Sequence, residues 1–184
     1  MLSPVPGNRV PELTSKVCIV GDFAVGKTST VERFVNQQFS TKYLTTVGVK
    51  IDTKEIDLPE HNITQKLVLW DVAGSDRFGE TEFAYLRGAS GIVYVADGTR
   101  LPTIEVANAL RRQIETEYGP LPSVFLLNKN DLKTDWEITA TSEEALRDQA
   151  PNLYVTSAKT GDAVDQALTQ LAGMIADETL QSGG

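Results

Sequence analysis

Apolar residues recur along the chain in two rhythms. Val17-Cys18-Ile19-Val20, Ile92-Val93-Tyr94-Val95-Ala96 and Val124-Phe125-Leu126-Leu127 are short unbroken apolar runs, the signature of strands buried on both faces of a parallel sheet. Val47 to Leu58 and Thr64 to Trp70 are also strand-like, and Pro59-Glu60-His61-Asn62 between them suits a hairpin turn. Leu153-Tyr154-Val155 predicts a further short strand. The second rhythm is helical. It covers Gly26 to Val35, Thr103 to Glu117 (Val106, Leu110, Ile114 and Tyr118 on one face) and Asp162 to Ala176 (Val164, Leu168, Leu171 and Ile175). Helices are also expected over Arg77 to Leu86 and, capped by Ser142, through Gln149.

Strand and helix alternate throughout. That order implies an α/β fold of three layers: a sheet of six strands, mostly parallel with one antiparallel hairpin partner, and helices on both faces. Pro4, Pro6, Gly7 and Pro11 mark residues 1–14 as a mobile lead-in to a domain over 15–177, with 178–184 as a flexible tail.

Composition narrows the function. A chain of 184 residues with 41% hydrophobic and 23% charged positions makes one globular domain. The net charge of −8 and the lack of a basic stripe argue against nucleic acid as a partner. One Cys and one His exclude a disulfide framework and a multi-ligand zinc site, which fits a reducing, intracellular setting. Cys18 reads as an inert core thiol and His61 as a surface residue of the hairpin turn. No apolar run approaches the roughly 20 residues of a membrane span. Leu180 to Gly184 offers no Cys for prenylation and residue 2 is Leu2, so no direct lipid anchor is visible. A cytoplasmic protein, recruited to membranes only through a partner, is expected.

Gly21-Asp22-Phe23-Ala24-Val25-Gly26-Lys27-Thr28 matches G-x-x-x-x-G-K-[ST], between the first strand and the first helix. Its backbone N–H groups and the helix N-terminus, where Ser29 follows, form an anion hole for phosphates. Lys27 would reach the β- and γ-phosphates and the Thr28 hydroxyl would ligate Mg²⁺. Asp71 ends a buried apolar strand, where a carboxylate is costly unless something claims its charge, and a cation held by Thr28 is a natural claimant. Asn128-Lys129-Asn130-Asp131 follows the next buried run, and Ser157-Ala158-Lys159 follows the last one. Both lie at C-terminal strand ends, where open α/β sheets bind ligands. The Asp131 carboxylate can accept from guanine N1 and the 2-amino group, a donor pair that adenine lacks, and so selects GTP over ATP.

In this order and spacing the four motifs resemble the Ras superfamily of small GTPases over roughly Ser15 to Ala176, with the P-loop NTPase G-domain fold that this implies. Val47-Gly48-Val49, Lys66 to Asp71, Asp76-Arg77-Phe78 and Leu86 to Gly91 look most like the Rab branch, while the phosphate loop is as much like Rho. The resemblance implies GTP/GDP and Mg²⁺ as cofactors. It aligns Thr46 with the first switch threonine, a second metal ligand, and Gly74 with the glycine that bonds the γ-phosphate. Phe39 aligns with the aromatic packed on guanine and Tyr43 with a tyrosine that closes over the phosphates. Ala158 would offer its N–H to guanine O6, and Lys129 would lie along the base. Effectors and regulators would bind the two switch regions, including Val47, Val49, Trp70 and Phe78.

Two positions depart from the family. Ser75 stands where a water-orienting Gln is usual, and Phe23 where the loop carries a small residue. Both point to slow hydrolysis, since positioning and charge stabilisation dominate phosphoryl transfer. Asp76 or Glu80 could replace the missing Gln. A GTP-held interaction module is the alternative to a cycling switch; a P-loop kinase or ATPase would not need Asn128 and Asp131.

Overall fold

A computed structural model describes residues 10–42, 44–74 and 79–183. It contains strands β1 (Glu12–Gly21), β2 (Val49–Leu58), β3 (Ile63–Val72), β4 (Gly91–Asp97), β5 (Ser123–Asn128) and β6 (Leu153–Val155). Helices are α1 (Lys27–Asn36), α2 (Glu80–Tyr85), α3 (Pro102–Tyr118), α4 (Ala140–Gln149) and α5 (Val164–Ser182). The six strands form one sheet in the order β2-β3-β1-β4-β5-β6. Only the β2–β3 pair is antiparallel, as the hairpin reading requires.

Each face of the sheet is covered by its own cluster of side chains. Val17, Ile19, Leu67, Leu69, Val93 and Leu126 pack with Phe34 of α1 and Leu168, Leu171 and Ile175 of α5. Cys18, Val20, Ile92, Tyr94, Phe125 and Leu127 pack on the other face with Ile104, Leu110 and Ile114 of α3. Strands that alternate between two buried faces must be apolar at every position, which is why their sequences read as unbroken runs. Burial pushes the Cys18 thiol up to about 12, consistent with an inert core residue.

Several boundaries differ from the sequence reading. β1 begins at Glu12, within the expected lead-in: Glu12 registers with Thr64, and the Gln65 amide donates to the buried Ser15 hydroxyl at 2.7 Å. Backbone pairing with β3 needs no apolar run, so the polar half of the strand was invisible to hydropathy. β2 starts at Val49 rather than Val47, because Gly48 turns the chain at φ 72° and its carbonyl accepts from the Ala73 N–H. Of the helix expected over Arg77 to Leu86, α2 holds Glu80–Tyr85, with the Gly79 N–H donated to Glu82; Arg77 and Phe78 lie outside the described residues. Thr139, not Ser142, is the N-cap of α4, and Ser142 sits at the third helical position of a capping box. α5 continues to Ser182 through most of the expected tail. His61 is half-buried, with its Nε2 2.7 Å from Asp177 Oδ1, tying the hairpin turn to α5.

Candidate functional site

The chain crosses from β3 to β4 over β1, so the sheet order reverses at β1 and leaves a crevice at the C-terminal strand ends. There the loops after β1, β3, β5 and β6 meet the 38–47 segment around a cavity of about 800 Å³. Phe23, Ala24, Gly26, Lys27, Thr28 and Ser29 line it from the phosphate loop, and Phe39 and Thr46 from the segment before β2. Gly74 lines it from the end of β3, and Asn128, Lys129, Asp131, Ala158 and Lys159 from the opposite wall. Gly21, Asp22, Val25 and Ser157 are not among the residues that line it. Of the expected site residues, Tyr43 and Ser75 lie outside the described residues.

The phosphate loop is shaped by its own polar groups. The Asp22 carboxylate accepts the Phe23 N–H at 2.7 Å. The Val25 carbonyl accepts from the Asn128 amide at 3.0 Å, joining this loop to the Asn128–Asp131 loop. That approach requires glycine next door. Gly26 has φ 101°, and a Cβ there would fall 2.2 Å from Asn128 Nδ2. Phe23 lines the cavity and stays 41% exposed, so its ring is not folded into the core.

Lys27 is buried, and its ammonium donates to the carbonyls of Gly21 (3.2 Å) and Asp22 (2.7 Å). Burial pulls it down to about 8; Asp71 and Asp22 push it back up, and the neighbouring charge of Arg100 lowers it further. An anion in the cavity would reverse this loss of solvation.

Beside it, three oxygens converge. The Thr28 hydroxyl donates to Asp71 Oδ2 and lies 2.8 Å from the Thr46 hydroxyl, which is itself 3.4 Å from Asp71 Oδ2. Asp71 Oδ1 is buried with no hydrogen-bond partner among the described residues. Burial raises the Asp71 carboxyl, and hydrogen bonds from Thr28 and Thr46 and the charges of Lys27 and Lys50 pull it back. One carboxylate and two hydroxyls, all hard oxygen donors with an oxygen left over, fit a small divalent cation such as Mg²⁺.

At the other end, Asp131 Oδ1 accepts from the Ser157 hydroxyl at 2.6 Å, and that hydroxyl accepts the Thr160 N–H. Asn128 Oδ1 accepts the Ala158 N–H at 3.0 Å and the Thr156 hydroxyl at 3.3 Å. The N–H expected to meet guanine O6 is therefore also a bond within the protein. Lys129 has φ 72° and lays its ammonium against the Ala24 carbonyl at 2.8 Å.

Three residues of this architecture escaped the sequence reading. Arg33 of α1 donates to the carbonyls of Ala158 (2.8 Å) and Lys159, clamping the loop after β6. Asp97 and Arg100 lie behind the phosphate loop. Asp97 carried the same sign as Asp71, an acid closing a buried apolar strand; the periodicity gave no sign of Arg33 or Arg100.

Comparison with known proteins agrees with this geometry. Residues 16–177 match the Ras family. The Ras-related protein Rab-13 of Bos taurus is 33% identical over 171 residues, covering 92% of this chain and 82% of that protein. The Ras-related protein Rab-32C of Dictyostelium discoideum is 32% identical, covering 89% and 74%, and the GTP-binding protein yptV2 of Volvox carteri 32%, covering 93% and 79%. With a family match over most of its length and relatives of this similarity, the chain belongs to the Ras family of small GTPases, in its Rab branch.

Proposed function

We propose that this small GTP-binding protein is a Mg²⁺-dependent GTP/GDP switch whose own hydrolysis of GTP is slow. The observation that carries the reading is the convergence on one cavity of Lys27, Thr28 and Thr46 with Asn128 and Asp131. Phosphates would lie against the phosphate loop and Lys27, and guanine against Asp131, with Phe39 as a ring to pack on the base. Thr28, Thr46 and Asp71 would hold the metal. When bound, Mg²⁺ neutralises charge developing on the phosphate oxygens. The protein's part is to fix the phosphate chain through Lys27 and the loop amides, and to read the γ-phosphate through Thr46 and Gly74.

Ser75 and Phe23 support a low rate. A serine hydroxyl is too short to hold water and γ-phosphate together as Gln does, and an exposed benzyl group at the cavity crowds any arginine finger supplied by a regulator, a contribution worth roughly 10³ to 10⁵ in rate. The same two residues favour a second reading, a GTP-held interaction module. Effectors and regulators would bind the face carrying Leu44 and Val47, 80% and 90% exposed, and such a partner would recruit the protein to membranes.

Protein purified with Mg²⁺, denatured and run on an ion-exchange column should release guanine nucleotide. GDP supports the cycling switch, GTP the held module, and neither one refutes the site. Ser75→Gln combined with Phe23→Gly should raise the single-turnover hydrolysis rate by at least about tenfold, a barrier change of roughly 1.4 kcal/mol; an unchanged rate removes the case for slow hydrolysis from these residues.

A further inference from the structure

The carboxylate of Asp97, at the end of β4, is 1% exposed and gathers two cations. Its Oδ2 lies 3.1 Å from Arg100 Nε and 2.8 Å from Lys129 Nζ. Its Oδ1 accepts the backbone N–H and the hydroxyl of Thr99 at 2.9 and 2.6 Å. Both cations then reach on to the phosphate loop. Arg100 Nη2 donates to the Phe23 carbonyl at 2.7 Å, and Lys129 Nζ donates to the carbonyl of the next residue, Ala24, at 2.8 Å. Two consecutive carbonyls of the loop are thus gripped from one buried anion.

This grip has a geometric consequence. In a trans peptide the C=O and the following N–H point in opposite directions. Drawing the Phe23 and Ala24 oxygens toward Asp97 turns the N–H groups of Ala24 and Val25 away from it. Between them Ala24 sits at φ 59°, a left-handed conformation unfavourable for any residue with a Cβ, which persists only where its surroundings hold it. Successive N–H groups in such a turn make an anion-binding concavity.

The segment that presents Arg100 is itself locked. The Thr103 hydroxyl accepts the Asp97 N–H at 2.9 Å and donates to the Arg100 carbonyl at 2.8 Å. The Leu101 N–H donates to Glu137 at 3.0 Å, and the Glu137 N–H returns to the Gly98 carbonyl at 2.9 Å. The Trp136 ring lies so close over Gly98 that a Cβ there would be 2.1 Å from it. Arginine suits the task because its planar fork can meet a carboxylate and a carbonyl together, whereas a lysine offers one point charge.

We propose that Arg100 is a positioning residue for the phosphate loop: anchored on Asp97, it holds the Phe23 carbonyl so that the left-handed turn at Ala24 presents its N–H groups to the phosphates of the bound nucleotide. This rests on the reading of the cavity as a GTP/GDP site. Arg100 acts through the loop backbone, in parallel with Lys129, and its removal takes away the grip on the Phe23 carbonyl while leaving that of Lys129 on the Ala24 carbonyl.

The test uses the full chain loaded with GDP and Mg²⁺, as wild type, Arg100→Ala, Arg100→Lys and the neighbouring control Leu101→Ala. The ³¹P resonances of bound GDP, the GDP release rate and the melting temperature are measured for each. Arg100→Ala is expected to shift the β-phosphorus resonance and to speed GDP release by about tenfold, the loss of one charge-assisted hydrogen bond. Arg100→Lys should recover part of both effects, and Leu101→Ala should match wild type. Should Arg100→Ala be too unstable to load, Arg100→Lys alone carries the test, and a wild-type spectrum and release rate for it overturn the proposal. An unshifted β-phosphorus with an unchanged release rate in Arg100→Ala overturns it as well. So does a variant that keeps both and loses only hydrolysis, because Arg100 would then act directly on the γ-phosphate. Absence of any bound GDP resonance in wild type is distinguishable from all of these: it overturns the nucleotide site, and the proposal with it.

Discussion

Asp71 is wholly buried with one oxygen engaged by Thr28 and Thr46 and the other without a hydrogen-bond partner among the described residues. A carboxylate in that state is costly, because the protein interior repays desolvation only through partners. Metal binding would supply the missing partner, so nucleotide retention should be coupled to Mg²⁺ through this side chain. EDTA is expected to accelerate GDP release from wild type by at least about tenfold, equivalent to roughly 1.4 kcal/mol, and to have little further effect on Asp71→Asn, whose release is already fast. Release from wild type that ignores EDTA would refute the assignment. Asp71 was legible in the sequence because an acid at the end of Leu67-Val68-Leu69-Trp70 has no structural excuse. Asp97 closes Ile92 to Ala96 in the same way, yet its meaning depends on Arg100 and Lys129, which approach it only in the folded chain. A contact made by a long side chain across loops has no period and no fixed spacing, and it is this class of residue, Arg33 included, that the sequence conceals.

Elements were legible where burial dictates the pattern and illegible where polar chemistry does. The inner strands announce themselves, since both faces of β4 and β5 are covered. The polar half of β1 does not, because its stability lies in the ladder to β3 and in the Gln65–Ser15 bond. The N-cap of α4 was missed by three residues because Thr139 and Ser142 satisfy each other reciprocally and either hydroxyl reads as a cap. Polar links also tie elements together. Lys50 of β2 bonds Glu32 of α1 and lies 3.2 Å from Asp52, and Asn36 adds a bond to Glu32 at 2.9 Å. The hydrogen bond from Lys50 holds the Glu32 carboxyl below its ordinary range. A group whose native pKa is depressed stabilises the fold at pH above its unfolded value and loses that contribution as pH falls through the native one. Glu32→Gln should therefore lower stability at pH 7 by no more than about 1 kcal/mol for a partly exposed pair, read as a lower melting temperature, and the gap to wild type should narrow at pH 4. A gap that widens on acidification would show that the pair contributes nothing.

At the scale of the molecule, the sheet order places the loops after β1, β3, β5 and β6 on one edge, so distant segments of sequence share a cavity without a second domain. The motif order foretold that arrangement, since each motif follows its own buried strand. Cavity and exposed apolar face meet at Thr46: its hydroxyl faces Thr28 and Asp71, while Val47 beside it and Leu44 stand out in solvent. A segment anchored at one residue by ligand contacts, and otherwise presenting apolar side chains, changes order with the state of the ligand. On the proposed reading, Thr46 would gain the γ-phosphate and the metal as partners with a non-hydrolysable GTP analogue and would keep fewer with GDP. Amide hydrogen exchange across residues 44–49 is accordingly expected to be slower by at least about tenfold in the analogue complex, a local opening cost raised by roughly 1.4 kcal/mol, while β4 and β5 exchange equally slowly in both. Equal exchange of residues 44–49 in the two complexes would mean that the exposed face does not sense the γ-phosphate. The cycling switch would then give way to the interaction module, in which the nucleotide holds the fold and Leu44 and Val47 offer the same surface throughout.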